Sequence, residues 1–234
     1  MSFLKKCLGI LYPQTCYFCG KISKECMCPE CVKQVEYIEE PRCKKCGKPI
    51  RYEEQEYCHD CTEHIFYYEQ GKSIWLHKGP VRWSVYQFKY HNRRIFAEFY
   101  AKEWQRIYGD KLKEWDIDVI IPIPLHRKRR RKRGYNQAEI LAKELGERCN
   151  IPVDTKSVVR TVNTRPQKEL NDKERKRNLS KAFRVTKHWE KARNVLLIDD
   201  IYTTGNTIDS VAQILKQKGA EKVYFLTISI GQGF

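Results

Sequence analysis

The chain has 234 residues, 41% of them hydrophobic and 32% charged, with a formal net charge of +16. That hydrophobic share is enough for a core, and the positive excess points to an anionic partner rather than to a particular fold. No apolar run approaches the ~18 residues that a membrane-spanning helix needs.

The charge is unevenly placed. Residues 1–70 carry 10 Lys and Arg against 11 Asp and Glu, while the remainder carries 35 against 18. This composition break predicts a domain boundary near Gly71, with units of 1–70 and 71–234. The opening "MSFLKKCLGILYP" has a basic start but a short apolar stretch and no small-residue cleavage site, so it reads as mature protein, not as a leader. A cytoplasmic location follows as an expectation, and cysteines there are metal ligands or reduced thiols more often than disulfides.

Eight of the eleven cysteines form four pairs of identical spacing: Cys16/Cys19, Cys28/Cys31, Cys43/Cys46 and Cys58/Cys61. Two residues between thiolates let one turn aim both sulfurs at one ion, and two such turns complete a tetrahedral site. "CYFCG" and "CKKCG" carry the glycine a metal-binding knuckle needs, whereas "CPEC" and "CHDC" do not. The knuckle-plus-plain-pair unit occurs twice, which predicts two zinc ribbons: Cys16, Cys19, Cys28 and Cys31 in the first, Cys43, Cys46, Cys58 and Cys61 in the second. About two structural zinc ions are expected, because four thiolates leave no open coordination position. A disulfide framework is the competing reading, and Cys26 and His59 lie near enough in sequence to substitute as ligands.

Farther along, "GPVRWSVYQFKYHNRRIFAEFYAKEW" reads as one or two helices, with Lys89 a candidate phosphate contact. "DVIIPIP" reads as a buried strand. Seven consecutive basic residues, Arg127 to Arg133, follow it and are expected to form a loop leading into a helix near 135–148. A charge run of this kind suits a polyanion. Arg127 to Lys132 are assigned to a surface for single-stranded nucleic acid, with Tyr135 either a stacking partner or a core residue.

The stretch "NVLLIDDIYTTGNTIDSVAQILKQKGA" is the most informative. "VLLI" is a buried parallel strand, and apolar residues from Ile208 to Leu215 recur at helical spacing. Between them, a small-residue loop entering a helix N-terminus suits a phosphate. Asp199 and Asp200 suit vicinal hydroxyls or a divalent ion. "LLIDDIYTTGNT" resembles the signature of type I phosphoribosyltransferases. The resemblance implies that Asp199 and Asp200 bind ribose hydroxyls, while Thr203, Thr204, Gly205, Asn206 and Thr207 bind the 5′-phosphate of phosphoribosyl pyrophosphate, with magnesium.

Taken in order, four CxxC pairs, "IIPIPLH…RGYNQ", "RPQKELNDKERKRNLSKAF" and "LLIDDIYTTGNT" resemble the ComF family of competence-associated proteins. That resemblance places the diphosphate on Arg133, Gly134, Asn136 and Gln137. It also implies a lid carrying Gln167, Arg175 and Asn178, with Arg175 beside the reaction centre. The fold it implies is α/β: a doubly wound parallel sheet of type I phosphoribosyltransferase kind behind a small zinc-ribbon head. Strands are expected near 119–123, 157–160, 195–198 and 223–228, and a helix near 206–218. The implied function is natural competence and DNA uptake, binding phosphoribosyl pyrophosphate or a ribose phosphate and single-stranded DNA, with a competence helicase as a further partner. The alternative is an active phosphoribosyltransferase acting on a nucleobase or amine, with no DNA role.

Overall fold

The computed structural model describes residues 13–162 and 182–231. Its head repeats one local design. An antiparallel bridge frames each knuckle, Thr15 with Ile22 and Arg42 with Pro49. Each plain pair sits on a short helix that begins just after its first cysteine: α1 (Pro29–Gln34) after Cys28, and α2 (His59–Glu63) after Cys58.

Strand β1 (Gln70–Leu76) leads into helices α3 (Gly79–Tyr90) and α4 (Phe96–Glu114). Then come β2 (Val119–Pro122), α5 (Arg127–Arg133) and α6 (Gln137–Cys149). The short strands β3 (Val158–Arg160) and β4 (Phe183–Val185) precede β5 (Asn194–Tyr202), α7 (Asn206–Gln217) and β6 (Lys222–Ile230).

Four strands form a parallel sheet in the order β1-β6-β5-β2. Alternation along the strands divides the core in two. Leu196, Ile198, Leu226 and Ile228 face one core with α3, α4 and α6. Val195, Leu197, Val223 and Phe225 face the other with α7. Helices on both faces of a parallel sheet make the doubly wound architecture that the alternating pattern implies. Among the described residues no helix is long and apolar enough to cross a membrane.

Two expectations need correction. The strand near 157–160 does not join the parallel sheet; β3 pairs with β4 in a separate antiparallel ribbon. The basic run is a helix, not a loop, and the reason is taken up with the site. Strand β1 was also not anticipated, because Lys72 and Ser73 interrupt its apolar residues. Both are buried, and Ser73 Oγ lies 2.6 Å from Thr227 Oγ1 on β6. Gly71 lies opposite Phe225 in the register, and a Cβ there would meet that ring at 2.0 Å.

Each ribbon shares a core with one face of the sheet. Phe18 packs edge-on against Trp75, and Tyr17 stacks on Phe96 at 4.1 Å. Cys43, Cys46 and Cys58 are buried in the opposite core with Phe66, Tyr68 and Phe225. Backbone bonds from Gly71 N–H to Lys45 O and from Ile38 N–H to Ile74 O fasten the second ribbon and its approach to β1.

Candidate functional site

The site is assembled at the C-terminal ends of the parallel strands, where open α/β sheets bind ligands. Flanked by β2 and β6, β5 delivers Asp199 and Asp200 to that edge. Asp200 is buried and paired with Lys89, from the last turn of α3, at 2.9 Å. Asp199 is half-buried; burial first, and then the neighbouring Asp200 charge, push its carboxyl up to about 7. Lys89 and the Asp200 N–H, which donates to Asp199 Oδ1 at 2.8 Å, offset this only in part. Beside them, His77 Nδ1 lies 2.9 Å from Ser229 Oγ, and burial with nearby Lys89 pushes that imidazole down to about 4. It is neutral at physiological pH.

Beyond Tyr202 the chain turns through Thr203, Thr204 and Gly205 into α7. Gly205 has φ 78°, a left-handed conformation that glycine adopts without penalty. It is also confined by volume, since a Cβ there would meet the Tyr202 hydroxyl at 2.4 Å. The loop from Asp199 to Ile208 encloses a small cavity of about 20 Å³. Thr204 Oγ1 is buried there with no hydrogen-bond partner among the described residues. An unpaired buried hydroxyl is uncommon and calls for a ligand or water. Together with the free N–H groups at the start of α7, it makes an anion cradle.

The seven basic residues form α5 because both ends are capped. His126 Nδ1 accepts from Lys128 N–H at 3.3 Å, and Gly134, at φ 81°, closes the helix through its N–H to Arg130 O. Arginine is a good helix former, and the repulsion between like charges at i,i+4 is offset by these caps and by the ion pair of Arg130 with Glu139 on α6 at 3.0 Å. The helix sorts its residues by face. Arg129 and Arg133, four apart and therefore on one face, are half-buried, while Arg127, Lys128, Arg130, Arg131 and Lys132 are exposed.

The inner face is turned toward Tyr90 on α3 and Arg160 on β3. Burial lowers the pKa of Arg129, with the Arg133 charge adding to the effect. Burial also lowers Arg160 on β3 to about 10, with Arg129 disfavouring and Asp199 favouring its charge. Arg133 lies over the Tyr90 ring at 4.8 Å, and its NH1 donates to Gln137 Oε1 at 3.0 Å.

Other residues assigned to the diphosphate are placed differently. Asn136 caps α6 by accepting from Ala138 N–H and donates to Ile123 O, and Gln137 donates to Lys89 O. Both amides are buried, Asn136 holding the backbone after β2 and Gln137 the backbone of α3. Tyr135 is a core residue whose hydroxyl donates to Phe88 O. Gln167, Arg175 and Asn178 lie outside the described residues. The contributions of Arg129, Arg160 and His77 were not anticipated, because each depends on which helix face or strand end meets the site.

The sulfurs of Cys16, Cys19, Cys28 and Cys31 lie within 4.8 Å of one another, as do those of Cys43, Cys46, Cys58 and Cys61. Four sulfurs at ~2.3 Å from a central ion would be ~3.8 Å apart. Cys19 and Cys28 Sγ are 3.8 Å apart, and Cys46 and Cys58 Sγ are 3.5 Å apart, too far for disulfides. Backbone N–H groups of Phe18 and Cys28 point at Cys16 Sγ at 3.4 and 3.3 Å, favouring a thiolate. The donor sets fit structural zinc.

Sequence comparisons agree with this architecture. Residues 7–62 match the double zinc ribbon domain, and residues 92–229 match the phosphoribosyl transferase domain. The chain belongs to the phosphoribosyl transferase domain family, with a double zinc ribbon ahead of that domain. It is 33% identical over 153 residues to competence protein F of Haemophilus influenzae, covering 62% of this chain and 65% of that protein. Competence protein ComFC of Bacillus subtilis is 28% identical over 155 residues, covering 64% and 59% respectively. The DNA utilization protein YhgH of Escherichia coli is 37% identical over 106 residues, covering 45% and 46%. These matches span from about half to just under two thirds of the relatives' own lengths.

Proposed function

We propose that this protein is of ComF type, works in natural competence or DNA utilization, the roles its relatives are named for, and couples two anionic ligands through helix α5. One is phosphoribosyl pyrophosphate or a ribose phosphate. Its 5′-phosphate enters the Thr203–Thr207 cradle, its hydroxyls meet Asp199 and Asp200, and Arg129, Arg133 and Arg160 face its diphosphate. The other is single-stranded DNA on the exposed residues of α5.

The observation that carries the first half is the buried, unpartnered Thr204 hydroxyl beside a left-handed Gly205 at a helix start, one strand-end away from two carboxylates. Sugar-type and phosphate-type recognition thus share one turn. Asp199 and Asp200 would hold a magnesium ion: burial and the Asp200 charge raise the Asp199 carboxyl to about 7, and a divalent ion there would relieve that repulsion. The metal's chemistry there would be to neutralise diphosphate charge. The chain's own residues orient the sugar and hold the phosphate. The excess of exposed positive charge over what a diphosphate needs favours the DNA half.

Calorimetric titration of the zinc-loaded protein with magnesium phosphoribosyl pyrophosphate tests the sugar site. Binding that disappears in Asp199→Asn/Asp200→Asn, with an unchanged circular dichroism spectrum, is expected. Equal affinity in the double variant would remove the acidic pair from the site.

A further inference from the structure

Helix α3 carries an aromatic row that neither core absorbs. Trp83, Tyr86 and Tyr90 follow one another at three- and four-residue steps, so they share one helix face. They are 37%, 52% and 54% exposed, in a helix whose Val81, Val85 and Phe88 are buried. Three large aromatics exposed side by side need an explanation beyond the scatter of apolar residues on any surface.

They line a cavity of about 540 Å³ together with Arg82, Lys89 and Ile201. The Tyr86 and Tyr90 rings are 5.0 Å apart, and His91 lies 5.4 Å from Tyr86. At one end, the edge of Trp83 lies against the knuckle glycine Gly20 of the first ribbon, close enough that a Cβ there would meet its ring at 3.1 Å. At the other end, the Arg133 guanidinium sits over Tyr90, and Arg133 NH2 donates to the Tyr90 hydroxyl at 3.0 Å. The aromatic row therefore runs without a break into the basic helix. Arg93 and Arg94, both exposed, flank the junction, with Arg94 over the ring of Tyr135 at 4.7 Å.

We propose that this face of α3 is a stacking platform for the bases of single-stranded DNA whose phosphates run along the exposed side of α5. The occupant follows from charge and shape together. Aromatic faces accept any base, and a basic groove beside them tracks the backbone; paired, they are the equipment of sequence-tolerant single-strand binding. A duplex, whose bases are already stacked, cannot use it. Tyr90 is the joint, its ring carrying Arg133, while Trp83 and Tyr86 receive bases. The platform rests on the DNA reading above and deepens it by assigning recognition of bases to α3 and of phosphates to α5.

The test uses full-length zinc-loaded protein and two fluorescent strands of equal length and charge, oligo(dT) and an abasic deoxyribose-phosphate strand, titrated by anisotropy over a salt series. Oligo(dT) should bind more tightly than the abasic strand. Trp83→Leu/Tyr86→Leu should weaken oligo(dT) binding by about five- to 150-fold per stacked base lost. It should leave the abasic affinity and the salt slope unchanged, because no charge is removed. Trp83→Phe/Tyr86→Phe should recover most of the loss, which separates stacking from misfolding. Wild-type oligo(dT) affinity in the leucine variant would overturn the platform and give the face to another occupant such as a protein. The DNA reading would still stand if serines on α5 flattened the salt slope. Failure of the wild-type protein to bind either strand would remove both.

Discussion

The hydroxyls of Tyr68 and Tyr202 lie 2.7 Å apart and are fully buried, joining a residue two positions before β1 to the last residue of β5. The Tyr202 ring also stacks on Phe225 at 4.9 Å and leaves no room for a side chain on Gly205. Behind it, Lys48 of the second ribbon lies over the Tyr202 ring at 6.0 Å and pairs with Asp60. The floor of the Thr203–Gly205 loop is therefore part of the core that the second ribbon completes. This connection runs from cysteine cluster to ribbon lysine to tyrosine to loop.

Tyr202→Phe leaves the buried Tyr68 hydroxyl without its partner and should cost about 1–3 kcal/mol. Tyr68→Phe/Tyr202→Phe removes both hydroxyls and should recover part of that cost. Urea denaturation of the two single variants and the double variant gives the coupling; strictly additive losses would mean that the pair does not act as a unit.

Gly205→Ala combines two penalties: a positive φ, at about 1–2 kcal/mol, and overpacking against Tyr202, at about 1–3 kcal/mol. The denaturation midpoint should fall accordingly, and phosphoribosyl pyrophosphate affinity should fall with it. A stable variant with full affinity would show that the loop relaxes freely.

Removing one ligand from either cluster should reduce the zinc content from two ions per chain to one. Cys46→Ser should also loosen the core beneath the Thr203–Gly205 loop, whereas Cys19→Ser should disturb the Trp75 side. Elemental analysis with native mass spectrometry checks the count, and tyrosine and tryptophan near-ultraviolet circular dichroism checks which core responds. Zinc-free wild-type protein, or equal spectral changes in both variants, would contradict this division.

The Asp199 carboxyl sits above its unfolded value of 3.8, at about 7. The folded state therefore holds the proton more tightly, and this contribution to stability is complete below about pH 3.8 and is lost as pH rises to about 7. Asp199→Asn should match the wild type in acid and become the more stable protein by neutral pH. The ceiling is about 4 kcal/mol at about 1.4 kcal/mol per pH unit, and water at the half-buried carboxylate lowers it. Parallel stability–pH curves for the two proteins would mean that Asp199 titrates normally.

Much of this was legible because the relevant residues are adjacent in sequence. The CxxC pairs and "LLIDDIYTTGNT" place their ligands within single turns, so spacing alone exposes them. Strand β1 is hidden in the sequence because Lys72 and Ser73 are buried, Ser73 against Thr227 of the neighbouring strand, which no local pattern reports. The basic run was misjudged as a loop because like charges hide helix propensity, and the caps at His126 and Gly134 lie outside the run. Asn136 and Gln137 matched a motif, yet their amides hold the backbone of Ile123 and Lys89, contacts 13 and 48 residues away. The aromatic face of α3 was readable at its helical spacing, but only burial separates its exposed rings from Phe88.

The central claim is that α5 serves two anions from two faces, and a four-way binding comparison tests it most directly. Arg127, Lys128, Arg131 and Lys132 are replaced by Ser in one variant and Arg129 by Gln in another. Each is titrated with single-stranded DNA and with magnesium phosphoribosyl pyrophosphate. The outer-face variant should lose DNA affinity, its log–log salt slope shrinking by about 0.7 for each phosphate contact removed, while keeping the small ligand. Arg129→Gln should weaken the small ligand and leave the DNA slope nearly intact. If the outer-face variant instead kept its DNA slope and lost phosphoribosyl pyrophosphate, the whole helix would belong to the sugar-phosphate site, and the two-faced account would be wrong.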